Sequence, residues 1–333
     1  MSAILRKPFE TECLSHDEAM EVLNLPDEEL PVLLDIVYAI RKKYKGDTVS
    51  IQILTNARSG NCSQNCAYCA QSRDSEADID KYRLVAYEKL LRDGHLAAEN
   101  NLVRHCIGLS GIRFSDKEID EFAAYVENLK KEFNTHICCS IGFLTLQQAQ
   151  KLKNAGVNRI NHNLNTSRNF YGSICTTHTY DERVANIKML QSVGFEICCG
   201  GIVGLGENTT DIADMLLEIR DLNPQSVPIN FLIPIKGAAL AEADISNLSP
   251  EYCLKVLCLA RLLMPKSDIR CAAGREVYLK GKEKLMFYAA DSIFASGYLT
   301  AGGQSIEDAI KLVTEAGFQY RIESAQNGNS IEK

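Results

Sequence analysis

Short apolar segments alternate with amphipathic segments along most of the chain. The apolar segments are rich in Ile, Val and Leu, which is typical of buried strands, and the amphipathic ones have helical spacing. The pattern predicts strands at 50–55, 102–109, 136–142, 157–164, 195–203, 227–232, 268–273 and 292–296. It predicts helices between them, among them 116–133, 145–154, 181–193, 209–221, 249–263 and 304–316.

The alternation of strand and helix predicts parallel pairing and an α/β fold. About eight such units in ~250 residues are typical of a (β/α)8 barrel of the TIM type, and a doubly wound open sheet is the main alternative. Residues 1–45 are predicted to form an N-terminal helical extension, because 16–45 has helical periodicity with acidic residues early and lysines late. The barrel is predicted for 46–320, and 321–333 is a polar C-terminal tail that we expect to fray.

Composition narrows the class of protein. The chain has 333 residues, 46% of them hydrophobic, and a net charge of -7, which argues against nucleic acid or an anionic membrane as the main partner. No segment is apolar enough over a sufficient length for a signal peptide or a membrane span, so we expect a cytoplasmic protein. In that reducing compartment the 13 cysteines are expected to be metal ligands, catalytic groups or packing residues rather than disulfides.

The loop after the first predicted strand concentrates three cysteines. Cys62, Cys66 and Cys69 lie within "NCSQNCAYCAQS". A structural zinc site uses four ligands and a disulfide uses two, whereas three thiolates can hold three corners of a 4Fe-4S cluster. The loop lies at the predicted C-terminal mouth of the barrel, where active sites of this fold are built. The spacing therefore favours a cluster with one open iron, and a zinc site with a distant fourth ligand is the alternative.

This loop and five further stretches carry a family resemblance. CxxxCxxC with Tyr68 before the last cysteine resembles the signature of the radical S-adenosylmethionine (SAM) superfamily. "RINHNLNTS", "TTHTYDERV", "GGIVGLGE", "SVPINFL" and "IRCAAGRE" resemble, in that order, the biotin synthase family. The resemblance implies a sulfurtransferase that converts dethiobiotin to biotin. SAM would bind the open iron and be cleaved to a 5′-deoxyadenosyl radical, and an auxiliary iron–sulfur cluster would supply the sulfur.

Two alternative functions remain open at this point. The first is another radical SAM barrel enzyme, similar to methylornithine synthase or to the hydrogenase-maturation relatives. The second, from a different class, is a zinc-binding non-catalytic module. Under the favoured hypothesis no side chain is predicted to act as a catalytic group, because the C–H bonds to be replaced are unactivated and the cofactors supply the chemistry.

The resemblance also implies roles for single residues. It places Tyr68 near the adenine of SAM, Asn165 at the ribose and Arg183 at the carboxylate, with Asn163 and Gly201 also near the cofactor. Asn163 and Asn230 would contact the ureido ring of dethiobiotin, and Thr300 its carboxylate. Amides suit neutral polar groups because they both donate and accept hydrogen bonds. The alternatives are turn capping for the asparagines, a surface salt bridge for Arg183 and tight turning for the glycines.

A second set of cysteines lies on the predicted strands. Cys106, Cys138 and Cys198 lie on three strands and Arg270 on a fourth, and in a closed barrel all four can point inward at one depth. The resemblance makes them the ligands of the auxiliary cluster, which is 2Fe-2S in the family. Each cysteine taken singly is typical of a small core residue. Packing is also predicted for the remaining cysteines Cys13, Cys175, Cys253 and Cys258.

An extra cysteine follows three of these four positions, namely Cys139, Cys199 and Cys271. Strand alternation points them toward the helices as core residues. In the alternative, a bulge turns one of them inward as an extra ligand, which would suit a four-iron auxiliary cluster with an extra sulfide. The resemblance further implies flavodoxin or ferredoxin as electron donor, the iron–sulfur assembly machinery as partner, and a homodimer.

Overall fold

This computed structural model describes residues 2–7, 13–102, 104–295, 297–300 and 302–320. Its strands form one parallel sheet. Its strands are β1 (Thr48–Arg58), β2 (Arg104–Leu109), β3 (His136–Ser140), β4 (Arg159–Asn161), β5 (Glu196–Cys198), β6 (Gly201–Val203), β7 (Ser226–Phe231), β8 (Asp268–Cys271), β9 (Ser292–Ala295) and β10 (Gln319–Tyr320). β9 pairs with β1 and closes the sheet. β5 and β6 both pair with β7 and are two halves of one interrupted strand. The predicted (β/α)8 barrel is confirmed, and the open sheet is excluded.

The helices surround this barrel. They are α1 (His16–Leu23), α2 (Leu30–Lys45), α3 (Tyr87–Glu99), α4 (Asp116–Glu132), α5 (Leu146–Asn154), α6 (Tyr171–Ile174), α7 (Tyr180–Ser192), α8 (Thr209–Leu222), α9 (Pro250–Leu263), α10 (Arg275–Tyr278) and α11 (Ile306–Glu315). Short 3-10 turns lie at Ala3–Arg6, Asp27–Glu29 and Glu283–Tyr288. Among the described residues, no helix is both long and apolar enough to cross a bilayer.

Local capping explains where several helices begin. Ser115, Thr145, Thr179 and Asn208 each accept a hydrogen bond from the backbone three residues later, and the residue at that position bonds back to the cap. Such reciprocal capping boxes satisfy two otherwise unpaired backbone N–H groups. The helix starts at α4, α5, α7 and α8 therefore lie within one residue of the positions that the sequence predicts.

The N-terminal extension contains two α-helices, α1 and α2. Pro26 lies in the connection that separates α1 from α2. Both helices pack against the outside of α9, and α1 also packs against α8. At the end of α2, Arg41 donates to the carbonyl groups of Gly46 and Thr48, which fixes the entry into β1. The predicted C-terminal tail lies outside the described residues.

The inside of the barrel is polar, in contrast to the layer between strands and helices. Outward-facing strand residues such as Ile107, Ile197 and Ile293 belong to the hydrophobic core. The inward-facing positions carry instead Gln52, Arg104, Cys106, Cys138, Arg159, Cys198, Ser226 and Arg270. Barrels of this type usually fill their interior with branched aliphatic side chains. The interior of this barrel is therefore built to hold polar groups.

Candidate active site

A cavity of about 390 Å³ occupies the C-terminal half of the barrel. Its volume falls in the range of small-molecule sites. Cysteines from the loop and from the strands line the same cavity, namely Cys62, Cys66, Cys69, Cys106, Cys138 and Cys198. The structure thus brings together the two sets of cysteines that are far apart in sequence.

The three-cysteine loop is held against the segment between α6 and α7. The amide of Ala67 donates to the carbonyl of Ile174 over 2.9 Å, and the side chain of Asn65 donates to Thr176 over 2.7 Å. Within the loop, Cys69 N–H donates to the Cys66 carbonyl. Burial raises the pKa of the Cys69 thiol to about 11, so this thiol stays protonated at neutral pH unless a metal displaces the proton. Hydrogen bonds therefore hold the loop in place, and its Cys69 thiol is not a free thiolate.

A fourth cysteine lies beside this loop. The Cys175 Sγ atom is 3.8 Å from the Cys66 Sγ atom and 3.3 Å from Nδ1 of His178. The hydrogen bond between the two thiols raises the pKa of Cys66 and lowers that of Cys175. Cys66, Cys175 and His178 are close enough to hold a metal ion together. The sequence prediction of Cys175 as a packing residue is incomplete, and the CxxH spacing of Cys175 and His178 was the available signal.

We expect the Cys175→Ala protein to keep an iron–sulfur cluster on the loop but with a lower reduction potential. An iron-bound Cys66 sulfur carries no proton, so the Cys175 thiol can only donate to it, and such a hydrogen bond stabilises the reduced cluster. The shift should be on the order of tens of mV. A redox titration followed by EPR measures it, with Cys253→Ala as the control because Cys253 is buried in α9. An unchanged potential would rule out the hydrogen bond, and loss of the cluster would make Cys175 a ligand.

Arg183 is buried without a carboxylate partner. Its guanidinium donates to the Tyr171 hydroxyl over 2.5 Å, to the Asn163 carbonyl over 3.0 Å and to Nε2 of His178 over 2.8 Å. Within the part of the chain that the structure describes, no carboxylate forms an ion pair with it, and only 9% of the residue is exposed. The surface salt bridge considered for Arg183 is therefore wrong. A buried guanidinium that has no carboxylate partner among the described residues and lies at a cavity wall suits an anionic ligand.

The asparagines after β4 line the cavity but also brace the backbone. Asn163 Oδ1 accepts hydrogen bonds from the Gly200 amide and from Nδ2 of Asn161, each over 3.0 Å. Asn165 Nδ2 donates to the Tyr68 hydroxyl over 2.7 Å, and Asn165 has a left-handed φ of 73°. The strand ends at Asn161, so a turn rather than strand alternation brings Asn165 to the cavity. Amide groups of Asn163 and Asn165 that these bonds leave free can face a ligand.

Of the remaining predicted site residues, two line the cavity and one, Gly201, has a packing role instead. Asn230 and Thr300 line the cavity, and Asn230 also bridges the Gly201 carbonyl and the Ala273 amide. Gly201 does not line it. A Cβ atom at Gly201 would lie 2.1 Å from the Met215 sulfur in α8, so the structure gives this glycine a packing role that the sequence prediction did not contain.

His162 is a cavity residue to which the sequence analysis assigned no role. Its ring lies on the cavity wall with its centroid 5.1 Å from that of Phe143. Burial lowers its pKa, so the ring is neutral at neutral pH. Its Nε2 atom is buried and lacks a hydrogen-bond partner among the described residues. Its position inside "RINHNLNTS" was the only available signal.

The strand cysteines meet Arg270 in the middle of the barrel. Cys106 and Cys138 are opposite each other in the register of β2 and β3. Arg270 Nη1 lies 3.8 Å from the Cys198 Sγ atom. The hydrogen bond between Cys106 and Cys138 lowers the pKa of Cys106 and raises that of Cys138. Three thiols and one guanidinium, buried around one point, form a donor set that fits an iron–sulfur cluster and has no packing rationale.

The extra cysteines face the opposite way. Cys139, Cys199 and Cys271 are fully buried in the hydrophobic core between strands and helices, and they do not line the cavity. The register of β3 with β2 and β4 contains no bulge. The direction predicted from strand alternation is confirmed, and the alternative in which a bulge turns one of them inward is not realised. Cys253 and Cys258 are buried in α9 as predicted, whereas Cys13 is exposed rather than packed.

Known proteins resemble this chain over nearly its full length. Residues 57–219 match the Radical SAM superfamily, and residues 228–319 match the Biotin and Thiamin Synthesis associated domain. The chain is 41% identical over 318 residues to biotin synthase from Geobacillus kaustophilus (strain HTA426). The aligned region covers 96% of this chain and 95% of that protein. It is also 39% identical over 313 residues to biotin synthase from Bacillus subtilis (strain 168), and that aligned region covers 94% of this chain and 92% of that protein.

Solved structures share the fold at low sequence identity. A methylornithine synthase crystal structure superposes with a TM-score of 0.81 at 18% identity, covering 96% of this chain and 97% of that one. The FeFe-hydrogenase maturase HydG from Carboxydothermus hydrogenoformans superposes with a TM-score of 0.83 at 17% identity, covering 97% of this chain and 79% of that one. These structures support the barrel fold alone.

Proposed function

The chain belongs to the biotin synthase family of radical SAM enzymes, and from this premise we propose which of its residues convert dethiobiotin to biotin. One observation supports the assignment most strongly, namely that three loop cysteines and three strand cysteines line one cavity. The family membership also sets aside the zinc-binding module and the other radical SAM enzymes as alternatives.

The loop cysteines Cys62, Cys66 and Cys69 would hold the 4Fe-4S cluster, and Cys106, Cys138, Cys198 and Arg270 would hold the auxiliary cluster. When bound, the first cluster with SAM supplies hydrogen-atom abstraction, and the auxiliary cluster supplies sulfur. Three thiolates and one guanidinium make four ligands, which is the number that a 2Fe-2S cluster takes. The core position of the extra cysteines supports this set of four.

On the SAM side, Arg183 would bind the carboxylate. Tyr171 and His178 fix its guanidinium from two directions, so that the site is organised before the ligand arrives. Tyr68 and Asn165 already share a hydrogen bond, and together they would contact the adenine and the ribose. Asn165 would present an amide to the ribose hydroxyl groups, because an amide can both donate and accept.

On the dethiobiotin side, the ureido ring would lie between Asn163 and Asn230, and Thr300 would contact the carboxylate. Apolar residues of the same cavity, Ile202, Phe294 and Leu299, would cover the alkyl chain. This apolar wall would also keep water from the reacting carbon atoms, as reactive intermediates require.

The decisive test is anaerobic turnover of the purified protein with SAM, a strong reductant and dethiobiotin. We expect biotin and 5′-deoxyadenosine, both measured by mass spectrometry, and iron with acid-labile sulfide in the protein before the reaction. Reactions without dethiobiotin or without SAM are the controls. A colourless, zinc-containing protein, or one that cleaves SAM without ever forming biotin, would contradict the assignment.

We expect Arg183→Met to raise the Kd for SAM by about 10- to 100-fold, because hydrogen bonds to charged groups contribute about 1.5–3 kcal/mol. Equilibrium dialysis without reductant measures this Kd. Arg113→Met is the matched control, because Arg113 is an exposed arginine paired with Glu182 near the same helix. Unchanged SAM affinity in the Arg183 variant would contradict the carboxylate assignment.

We expect Asn163→Ala and Asn230→Ala each to weaken dethiobiotin binding by about 1–3 kcal/mol, because polar groups of the ureido ring would be left buried without partners. The absorbance of the SAM cluster should stay unchanged. Asn186→Ala is the control, since that amide donates to the Leu144 carbonyl and does not line the cavity. The pocket is wrongly assigned if both variants bind dethiobiotin as tightly as the unmodified protein.

We also propose the domain organisation, the protein partners and the oligomeric state of the enzyme. Residues 46–320 would act as one unit, which is supported by the pairing of β9, inside the second matched region, with the part of β1 that precedes the first. A flavodoxin or ferredoxin would deliver the electron, and the iron–sulfur assembly machinery would load the clusters. We further propose a cytoplasmic homodimer, which light scattering of the loaded protein would test.

A further inference from the structure

A second, lower cavity of about 330 Å³ lies at the N-terminal end of the barrel. Its walls include Lys45 from the end of α2 and the inward-facing residues Arg104, Arg159, Glu196 and Asp268. Its rim includes exposed residues at Asn223, Gln225 and Lys266. The lower cavity therefore reaches solvent on the side opposite to the active site.

The lower cavity carries an excess of positive charge. Glu196 pairs with Arg104 over 3.2 Å and with Arg159 over 2.8 Å. Asp268 pairs with Lys45 over 2.6 Å and with Arg159 over 3.3 Å. Lys45 also contacts Asp291 over 3.7 Å, and Asp291 in turn pairs with Arg261. The connected set thus has four cations and three carboxylates, before Lys266 on the rim is considered. Such a charge balance in a concave, partly dehydrated space favours an anion.

One of these cations has an unused donor. Arg104 is only 7% exposed, yet its Nε atom has no hydrogen-bond partner among the described residues. Its other nitrogen atoms contact His136 and Glu196. Buried donors are normally paired in native structures, so an Arg104 Nε atom without a protein partner beside a cavity is a candidate contact for a ligand. The unpaired donor points to a ligand.

The side chain of Gln52 contacts both the lower cavity and the auxiliary ligand set. Gln52 lines the lower cavity and is 1% exposed. Its Oε1 atom accepts hydrogen bonds from the Cys106 thiol over 3.4 Å and from Arg270 Nη2 over 2.8 Å. Cys106 and Arg270 line the cavity in the C-terminal half of the barrel, here called the upper cavity. Gln52 therefore lies between the two spaces.

We propose that the lower cavity binds hydrosulfide and passes it to the auxiliary ligand set from the N-terminal end of the barrel. This inference rests on the proposed function, in which the auxiliary cluster gives up sulfur and has to be resupplied. Under the proposed function SAM and dethiobiotin would occupy the upper cavity, so sulfide would need a second route while both are bound. Hydrosulfide only binds and moves in this proposal, so its sulfur stays at the sulfide oxidation state. Its proton is released to solvent.

The test uses the protein with both clusters, saturated with SAM and dethiobiotin and without reductant, so that no turnover occurs and the upper route is covered. Sodium sulfide carrying a heavy sulfur isotope is added, and native mass spectrometry follows its entry into the auxiliary cluster. Ser50 lines the lower cavity, so Ser50→Met fills it without changing charge, and Ser50→Ala is the matched control. Arg104→Gln removes the unused donor.

We expect isotope to enter the unmodified and Ser50→Ala proteins at similar rates. Entry should slow by about tenfold or more in Arg104→Gln, because a charged hydrogen-bond donor is lost, and likewise in Ser50→Met, because its larger side chain occupies the route. Equal rates in all four proteins, or no entry when SAM and dethiobiotin are bound, would overturn the proposal. Single-turnover biotin formation is measured on the same preparations. If no biotin forms, the proposed function is refuted. The isotope entry rates of the four proteins decide independently whether sulfide uses the lower cavity.

Discussion

Cys66→Ala protein, incubated anaerobically with SAM and a strong reductant, is expected to form no detectable 5′-deoxyadenosine. The loss should be roughly a thousandfold or more, because two thiolates leave a four-iron cluster labile and SAM cleavage depends entirely on that cluster. Cys66 is the most buried cysteine of the loop, so no other described residue of the loop can take its place. Mass spectrometry of the nucleoside and an iron count measure the result.

Cys139→Ala is the matched control, because it removes a buried thiol that faces the helices rather than the cavity. It should cleave SAM at close to the unmodified rate. Because the Cys175 Sγ atom lies 3.8 Å from the Cys66 Sγ atom, the double variant Cys66→Ala, Cys175→Ala tests whether any residual cleavage by the single variant depends on Cys175. Near-normal cleavage by both the single and the double variant would show that the SAM cluster is wrongly placed.

Cys138→Ala is expected to abolish biotin formation while SAM cleavage continues. Cys138 lies opposite Cys106 in the barrel interior, and without it the auxiliary cluster loses a ligand that no neighbour can supply. The loop cluster lies on a separate segment and should remain. Mössbauer spectra with iron counting should therefore show the four-iron signal alone, and biotin should fall by roughly a thousandfold or more, since sulfur insertion has no other source.

The control for this variant is again Cys139→Ala, its direct neighbour on the same strand. Equal loss of biotin in both variants would point to damage of the strand rather than to loss of a ligand. Continued biotin formation by Cys138→Ala would remove Cys138 from the auxiliary set. About eight irons in cubane-type signals in the unmodified protein would contradict the 2Fe-2S assignment.

Much of the fold follows from local sequence signals. Capping boxes fix the helix starts at Ser115 and Thr179, and strand alternation correctly separates Cys138, which faces the cavity, from Cys139, which faces the core. Both signals act over a few residues, so they do not require knowledge of the tertiary structure. Parallel strands together with about eight strand–helix units favour the closed barrel over the open sheet, and the pairing of β9 with β1 decides between them.

The features that the sequence does not predict depend on distant contacts. Cys175 approaches Cys66 only because the segment before α7 packs against the loop. Gly201 is needed where Met215 of α8 approaches the interrupted strand. The lower cavity depends on which charged residues from five separate elements meet at one end of the barrel. The CxxH spacing hints at a role for Cys175, but neither spacing nor composition shows which distant residues these groups meet.

The pairing of β1 with β9 has a consequence for the order in which the protein matures. β1 is the first strand to leave the ribosome and β9 is the last of the barrel, so the barrel cannot close until most of the chain has been made. Cys106, Cys138 and Cys198 are synthesised well before Arg270 and β9. We therefore expect an interval during synthesis in which the future interior is open from the side. A preassembled cluster could reach these cysteines from the side during that interval, whereas after closure it would have to enter through the C-terminal cavity that they line.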